Sequence, residues 1–476
     1  MGTIQMDLLP DTLPDTGGPK YKRVAETIRK AIADDTLGPG CKLPPVRDLA
    51  YQLGITPGTV ARAYTVLTDE GILIAEVGRG TFVAQPDTPD RDDVGDQIEI
   101  DVIAHETGSG TGHDVNLYSP HLPVAGQTRL IRSLLADIAA KPPSGLMHYP
   151  SQRGATPARE AVVKWLSGIP LGSLNESQVV LTNGGQHAVT LFLQAMLRGR
   201  RPAVLVEELA YPGFRRAAEL MRAEVIPVAM DEHGILPDAM EAAARNHDTQ
   251  VLFTTPDIHN PTALFTPLER RQAIAEVARR HDLQIFEDAC YLVRDGQAPS
   301  YRMIAPERSW YVTSLSKSIT PSLRLGFVIG PQDRVAGLRR AVEHSCFGVA
   351  TMLTDLTAAL LTHPDLPLIE QEVRRISNVY LQSAVNILGM YQLGWHADAP
   401  FVWLELPTGW RASAFCQAAE SQGIRIRPAE DYTNRNLRSP HAVRMAVNAG
   451  VPLNRFEAAI RRLRALLDNP PEEIGV

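Results

Sequence analysis

The chain has 476 residues, 44% of them hydrophobic and 21% charged, with a formal net charge of −7. That is material for two or three soluble domains with ordinary cores; it excludes a protein coated throughout in basic surface but leaves room for a small basic module. Cys41, Cys290, Cys346 and Cys416 are scattered without a CxxC pair, so the thiols are read as reduced and cytoplasmic rather than as a disulfide frame or a metal site, and no run of about 18 apolar residues offers a membrane span.

Residues 1–18 are acidic and Pro-rich and lack the basic-then-apolar order of a signal peptide; they read as a disordered leader. Residues 19–84 carry nine Lys/Arg against seven Asp/Glu, and are the net-positive part of the chain. Here Tyr21, Val24, Ile28 and Ile32 recur at helical spacing, and Gly38-Pro39-Gly40 stops that helix. Pro44-Pro45 opens a second, short helix with Val46, Leu49, Ala50 and Leu53 inside, and Gly54 ends it. Thr56 is suited to cap a third helix and Pro57 to begin it, with Val60, Ala63, Tyr64 and Leu67 as its stripe. Ile72–Glu76 and Thr81–Val83, turned at Val77-Gly78-Arg79-Gly80, predict a β-hairpin.

Residues 85–113 are rich in Asp, Gly, Ser and Thr and cannot bury a core, so they read as an acidic flexible linker, longer than an ordinary surface loop. From 114 to 476, apolar runs such as Val179–Leu181, Ala203–Val206, Val225–Val228, Val251–Thr254, Gln284–Glu287 and Trp310–Thr313 alternate with helical stretches such as Gln186–Leu197, Arg270–Arg280 and Arg334–His344. That alternation predicts an α/β domain with a largely parallel sheet.

Two helices around Gly54 followed by a hairpin have the layout of a winged helix-turn-helix, whose second helix enters the major groove. The string CKLPPVRDLAYQLGITPGTVARAYTVLTDEGILIAEVGRGTFVA, Cys41 to Ala84, resembles the GntR family of bacterial regulators. The resemblance implies binding to double-stranded DNA. Arg47 would meet phosphates or base edges, Thr59 and Arg62 would lie on the recognition helix, and Arg79 and Gly80 would sit at the wing tip. Arginine suits such contacts because its planar fork pairs with phosphate or guanine. Where many relatives have Arg after the position of Thr56, this chain has Pro57, so readout would rest on Thr56, Thr59 and backbone N–H groups. Taken singly, each arginine is more often an ordinary solvated charge; together, in a winged-helix pattern, they point to DNA contact.

A second constellation centres on TSLSKSITPSLRLGFVIG, which resembles the fold-type I aminotransferases, whose cofactor is pyridoxal 5'-phosphate. By that resemblance Lys317 is the Schiff-base lysine, with Ser314, Ser316 and Arg324 around the phosphate. In FEDACY, Asp288 would pair with the pyridine nitrogen and Tyr291 with the ring 3'-oxygen. In TPDIHNPTA, Asn260 would reach the same oxygen, with Ala263 in place of the family's Gly, read as a small change. In LTNGGQHAV, the backbone of Gly185 and Gln186 would cradle the phosphate at a helix start. Tyr211 of YPGF would stack on the ring, and Tyr149 of MHYPSQRG would reach the phosphate of a partner subunit in a homodimer. Arg444 of HAVRMAV would clamp a ligand carboxylate. Each motif alone also has a plain structural reading; their shared order along the chain is what counts.

Domain order and span together resemble the MocR-like subfamily, a GntR-type head fused to an aminotransferase-like body. That resemblance implies a transcription regulator sensing pyridoxal phosphate or an amino compound that reacts with it. The alternatives are a working aminotransferase carrying a DNA-binding head, or an enzyme with a misread N-terminal cap; fold alone does not choose.

Overall fold

A computed structural model describes residues 19–34, 36–38, 40–70, 72–76, 80–84, 115–140, 147–291, 293–294, 298–434 and 437–470. The expected leader and linker, and Arg79, lie outside the described residues. The chain divides into two units, Met1–His105 and Glu106–Val476.

In the first unit, helices α1 (Lys20–Ala33), α2 (Val46–Gln52) and α3 (Pro57–Asp69) are followed by an antiparallel hairpin of β1 (Leu73–Glu76) and β2 (Gly80–Val83). The stripes foreseen from spacing meet in one small core: Val24 and Ile28 from α1, Leu49 and Ala50 from α2, Val60, Ala63, Tyr64 and Leu67 from α3, with Leu73 and Val83 from the hairpin. Each buried valine, leucine or isoleucine among them contributes roughly 1.5–3 kcal/mol on burial. Three features were not foreseen. Cys41 to Leu43 run beside β2, with Leu43 N–H donating to the Thr81 carbonyl (2.8 Å) and Val83 N–H to that of Cys41 (2.9 Å), so the wing gains a third strand-like edge. The Tyr64 hydroxyl donates to the Pro44 carbonyl (2.8 Å) and ties α3 to the start of α2. A bidentate pair of Arg29 with Glu70 links α1 to the end of α3.

The second unit is built on a seven-stranded sheet of β3 (Val179–Thr182), β4 (Ala203–Glu207), β5 (Glu224–Val228), β6 (Thr249–Thr254), β7 (Gln284–Asp288), β8 (Ser309–Ser314) and β9 (Gly326–Ile329), in the order β3-β9-β8-β7-β6-β4-β5. From β8 to β5 the neighbours are parallel; β9 runs antiparallel to both β8 and β3. The sheet is therefore mixed: the largely parallel expectation holds except at one strand, whose string LGFVIG carries no sign of its direction. β3, β4 and β8 are buried throughout, as a sheet covered on both faces requires. One face packs Phe192, Phe214, Phe253, Phe286 and Trp310 into an aromatic core. A smaller antiparallel sheet carries Phe401–Glu405, Ala442–Ala446 and Arg427–Pro428 side by side. Val115–Asn116 pairs in parallel with Ile424–Arg425, so the beginning of this unit is stitched to its last third.

Candidate functional site

The parallel strands end along one edge, where an α/β sheet presents its crevice. Asp288 closes β7; Lys317 ends a short 3-10 turn, Leu315–Lys317, directly after β8; Tyr211 and Asn260 follow β4 and β6. Because β9 is antiparallel, its beginning lies on the same edge: Gly326 pairs with Ser314 on one side and Thr182 on the other. That reversal delivers Arg324 to the start of the helix Gly185–Met196. Gly184, at φ +90°, caps this helix, and a Cβ there would stand 2.7 Å from an Arg324 guanidinium nitrogen. Glycine is required for that approach, and it leaves a guanidinium beside free helix N–H groups, a cradle suited to phosphate. Arg324 itself takes φ +48° and reaches Ser316 Oγ weakly at 3.4 Å. Ser314 is buried, and its Oγ accepts from the Ser316 N–H at the start of the turn that presents Lys317.

Lys317 has no hydrogen-bond or ion-pair partner among the described residues. Burial pushes its amine below the ordinary lysine value; the nearby Cys290 side chain opposes this, while Arg444, Arg427 and Arg324 add to it. Burial also raises the Asp288 carboxyl to about 6, against the hydrogen bonds from the Cys290 N–H (3.0 Å) and thiol; Glu207 pushes the same way and Lys317 the other. A lysine held toward neutrality beside a carboxyl held toward protonation suits an aldehyde-bearing ligand with a basic ring nitrogen. Three further atoms are buried without partners: Asn260 Oδ1, Gln186 Oε1 and Arg444 Nε. Leaving such atoms unsatisfied costs free energy that a bound polar ligand would recover.

Tyr291 is buried, receives a long contact from Arg444 Nη2 (3.5 Å) and packs edge-on against Phe401. Burial drives its phenol well above the usual range. Tyr211 stands at the start of the helix Pro212–Leu220, edge-on to Phe214, and Gln186 Nε2 donates to the Gly213 carbonyl beside it (3.1 Å). Gly185 has open space where a side chain would be. Tyr149 does not join the pocket of its own chain: it is 78% exposed and stacks on the exposed Phe347 at 5.0 Å. Ala263 corrects an expectation. It adopts φ +60°, a left-handed conformation that disfavours a Cβ by roughly 1–2 kcal/mol, so replacing Gly there is no small change.

Glu207 was not singled out from the sequence. It is buried at the end of β4 and accepts from Thr254 Oγ1 (2.7 Å), Thr255 N–H (3.0 Å) and Thr255 Oγ1 (3.3 Å), while the Thr255 hydroxyl receives the Asn260 N–H (3.4 Å). It thereby holds the loop that carries Asn260. Only the string VEEL marked it, and an acid at a strand end has too many ordinary uses to be read as a positioning group.

In the head, Arg47 and Thr56 are exposed, and Thr59 is half-buried. Thr56 begins α3 as expected but makes no capping bond; its hydroxyl pairs with that of Thr59 at 2.9 Å, because two hydroxyls three residues apart meet on one face. Arg62 is exposed with its guanidinium 4.3 Å above the Tyr21 ring, which steadies it at the edge of α3. Gly80 is exposed at the start of β2 with φ +122°, and a Cβ there would stand 2.7 Å from Lys42 Cε. Lys42, which spacing did not suggest, is thus a further cation at the wing.

Residues 114–463 match the aminotransferase class I and II family, and residues 20–83 match the gntR family of bacterial regulatory proteins. The chain belongs to the aminotransferase class I and II family. Joined to the GntR head, it has the architecture of the MocR-like DNA-binding transcription regulators, whose fold-type I body takes pyridoxal 5'-phosphate. It is similar to the uncharacterized HTH-type transcriptional regulator YdeF of Bacillus subtilis, 28% identical over 95% of both chains. It is also similar to the pyridoxine biosynthesis transcriptional regulator PdxR of Corynebacterium glutamicum, 29% identical over 69% of this chain and 70% of that one. Among solved structures, a kynurenine aminotransferase from Pyrococcus horikoshii shares the fold of the body, with a TM-score of 0.68, 20% identity, and coverage of 77% of this chain and 93% of that one. Among the described residues no helix is long and apolar enough to cross a membrane.

Proposed function

We propose that the body of this regulator binds pyridoxal phosphate at Lys317 and reports the arrival of an amino compound, or of the cofactor itself, to DNA held by the head. The observation that carries this reading is the set of buried polar atoms left without partners around one sheet edge, Asn260 Oδ1, Gln186 Oε1 and Arg444 Nε, beside a Lys317 amine held below its ordinary value. Asp288 would pair with the ring nitrogen, and Asn260 and Tyr291 with the 3'-oxygen. Tyr211 would stack on the ring. Gly185, Gln186, Ser314, Ser316 and Arg324 would hold the phosphate, and Arg444 a ligand carboxylate. When bound, the cofactor supplies an aldehyde carbon at which the lysine amine is exchanged for that of a ligand.

Tyr149, exposed beside Met147 and Phe347, would reach a partner's phosphate in a homodimer, which brings two heads to two half-sites. The DNA contacts would come from Arg47, Thr56, Thr59, Arg62 and the wing at Arg79 and Gly80. A ligand regulates only if it favours one arrangement of heads and bodies over another. The name of the relative PdxR, a regulator of pyridoxine biosynthesis, agrees with vitamin B6 as a sensed compound.

The test uses the purified full chain. A visible absorption band is expected with pyridoxal phosphate and absent in Lys317→Ala. Binding to DNA upstream of its own gene is expected to change with candidate amines. Retention of the full lysine, aspartate and arginine set favours a second reading, a working aminotransferase. Fast steady-state transamination without DNA binding would establish that reading instead.

A further inference from the structure

We infer that His259 is a positioning residue for pyridoxal phosphate: it fastens the loop that offers Asn260 to the loop that offers Tyr211, so that the ring's hydrogen bond and its stacking partner are set together. This rests on the cofactor site proposed above and adds a residue that acts through two of its groups. The two loops follow β6 and β4. At their roots Glu207 already joins the strand ends, through Thr254 and Thr255. His259 makes a second tie farther out. It is buried at 2% exposure, with Nε2 2.8 Å from the Leu209 carbonyl and 3.4 Å from a Glu207 carboxylate oxygen. Both of these are acceptors, so Nε2 carries the hydrogen and donates across the gap.

Each end of this tie is itself held. On its own side, the His259 N–H donates to the Leu264 carbonyl (2.9 Å) and its carbonyl accepts from the Ala263 N–H (2.7 Å), while Nδ1 meets the Thr262 hydroxyl at 2.6 Å. The imidazole is thereby locked into the turn that carries Asn260. On the far side, Leu209 bridges Thr433, and the next residue, Ala210, donates its N–H to the Tyr432 carbonyl (3.0 Å). Tyr211 follows directly, at the start of its helix. A hydrogen bond between two segments that are each fixed transmits position, and a buried donor is costly to leave without its acceptor. His259 has no nitrogen to spare for a ligand, since both already have partners in the chain. Its effect on the cofactor therefore passes through Asn260 and Tyr211.

The experiment uses the full chain and three replacements. Glutamine can place an amide N–H where Nε2 stands, asparagine is too short to do so, and phenylalanine keeps a ring but neither nitrogen. Donation from Asn260 to the cofactor's 3'-oxygen favours the ionised form of that oxygen, so losing the alignment raises the pH midpoint of the visible band. His259→Phe and His259→Asn are expected to raise it by about one pH unit, in the same direction as Asn260→Ala, and His259→Gln to restore the parent value. The cofactor-free chain gives a separate reading by hydrogen exchange. His259→Phe should speed exchange about tenfold at both the Ala210 and the Ala263 amides, with β4 and β6 unchanged. Exchange that rises at Ala263 alone, a midpoint unmoved by His259→Phe, or a shift that His259→Gln does not reverse would overturn the inference. If the parent forms no visible band, the cofactor reading fails, while joint exchange of the two loops still supports the tie between them.

Discussion

The head and the body keep their functional groups in opposite environments. In the head, Arg47, Thr56 and Arg62 stand in solvent over a core of leucines, valines and alanines, so the groups proposed to meet DNA cost the fold almost nothing. In the body, Asn260, Arg427 and Arg444 are buried, and Lys317 and Asp288 have their titrations displaced by burial. There the fold bears the cost before any ligand arrives, as sites prepared for a charged, polar guest do. A surface that meets a polyanion needs placement only; a pocket that meets a cofactor needs placement and desolvation together.

The sharpest break between the two should come from Lys317→Ala. It is expected to remove the visible band completely while leaving DNA affinity of the ligand-free chain within twofold; a parallel loss of both would end the separation. Next is Leu67→Ala, fully buried between the head helices, which should cost about 2–5 kcal/mol. Calorimetry of the full chain should then show the head transition lowered and the body transition unmoved.

Asp288→Asn reverses the usual sign for a site residue. A carboxyl raised to about 6 keeps its proton in the folded chain where the unfolded chain has lost it. Its contribution is therefore full below about pH 4 and is lost as pH rises through about 6. At pH 7.5 the cofactor-free variant should be more stable than the parent by roughly 1–2 kcal/mol, the side chain being only half-buried. Its hold on pyridoxal phosphate should meanwhile weaken at least tenfold. Urea titrations at pH 4 and pH 7.5 check the first part, since the gain should vanish at the lower pH.

Smaller effects sharpen the same contrast. Arg62→Ala should weaken DNA binding by about 1 kcal/mol with the visible band unchanged, measured by anisotropy at fixed salt. Ala263→Gly should stabilise the body by roughly 0.5–1 kcal/mol, relief of the left-handed Cβ being partly offset by glycine's looser unfolded state. No gain in melting temperature would mean that the strain at this turn is already relieved.

Local pattern alone specified the three helices and hairpin of the head, and α1, α2, α3 and β2 fall within a few residues of where spacing, Pro57 and Gly80 set them. The same holds for β3 to β8, for Lys317 after a strand and for Asp288 at the end of one, because a residue's neighbours in sequence determine period, caps and strand ends. Tertiary structure alone decided the direction of β9, which brings Arg324 against Gly184, the left-handed turn at Ala263, the Glu207 bonds that steady the Asn260 loop, and the contact of His259 with Leu209. Each of these depends on segments far apart in the chain arriving at one place, and burial, register and unsatisfied hydrogen bonds exist only once they have met.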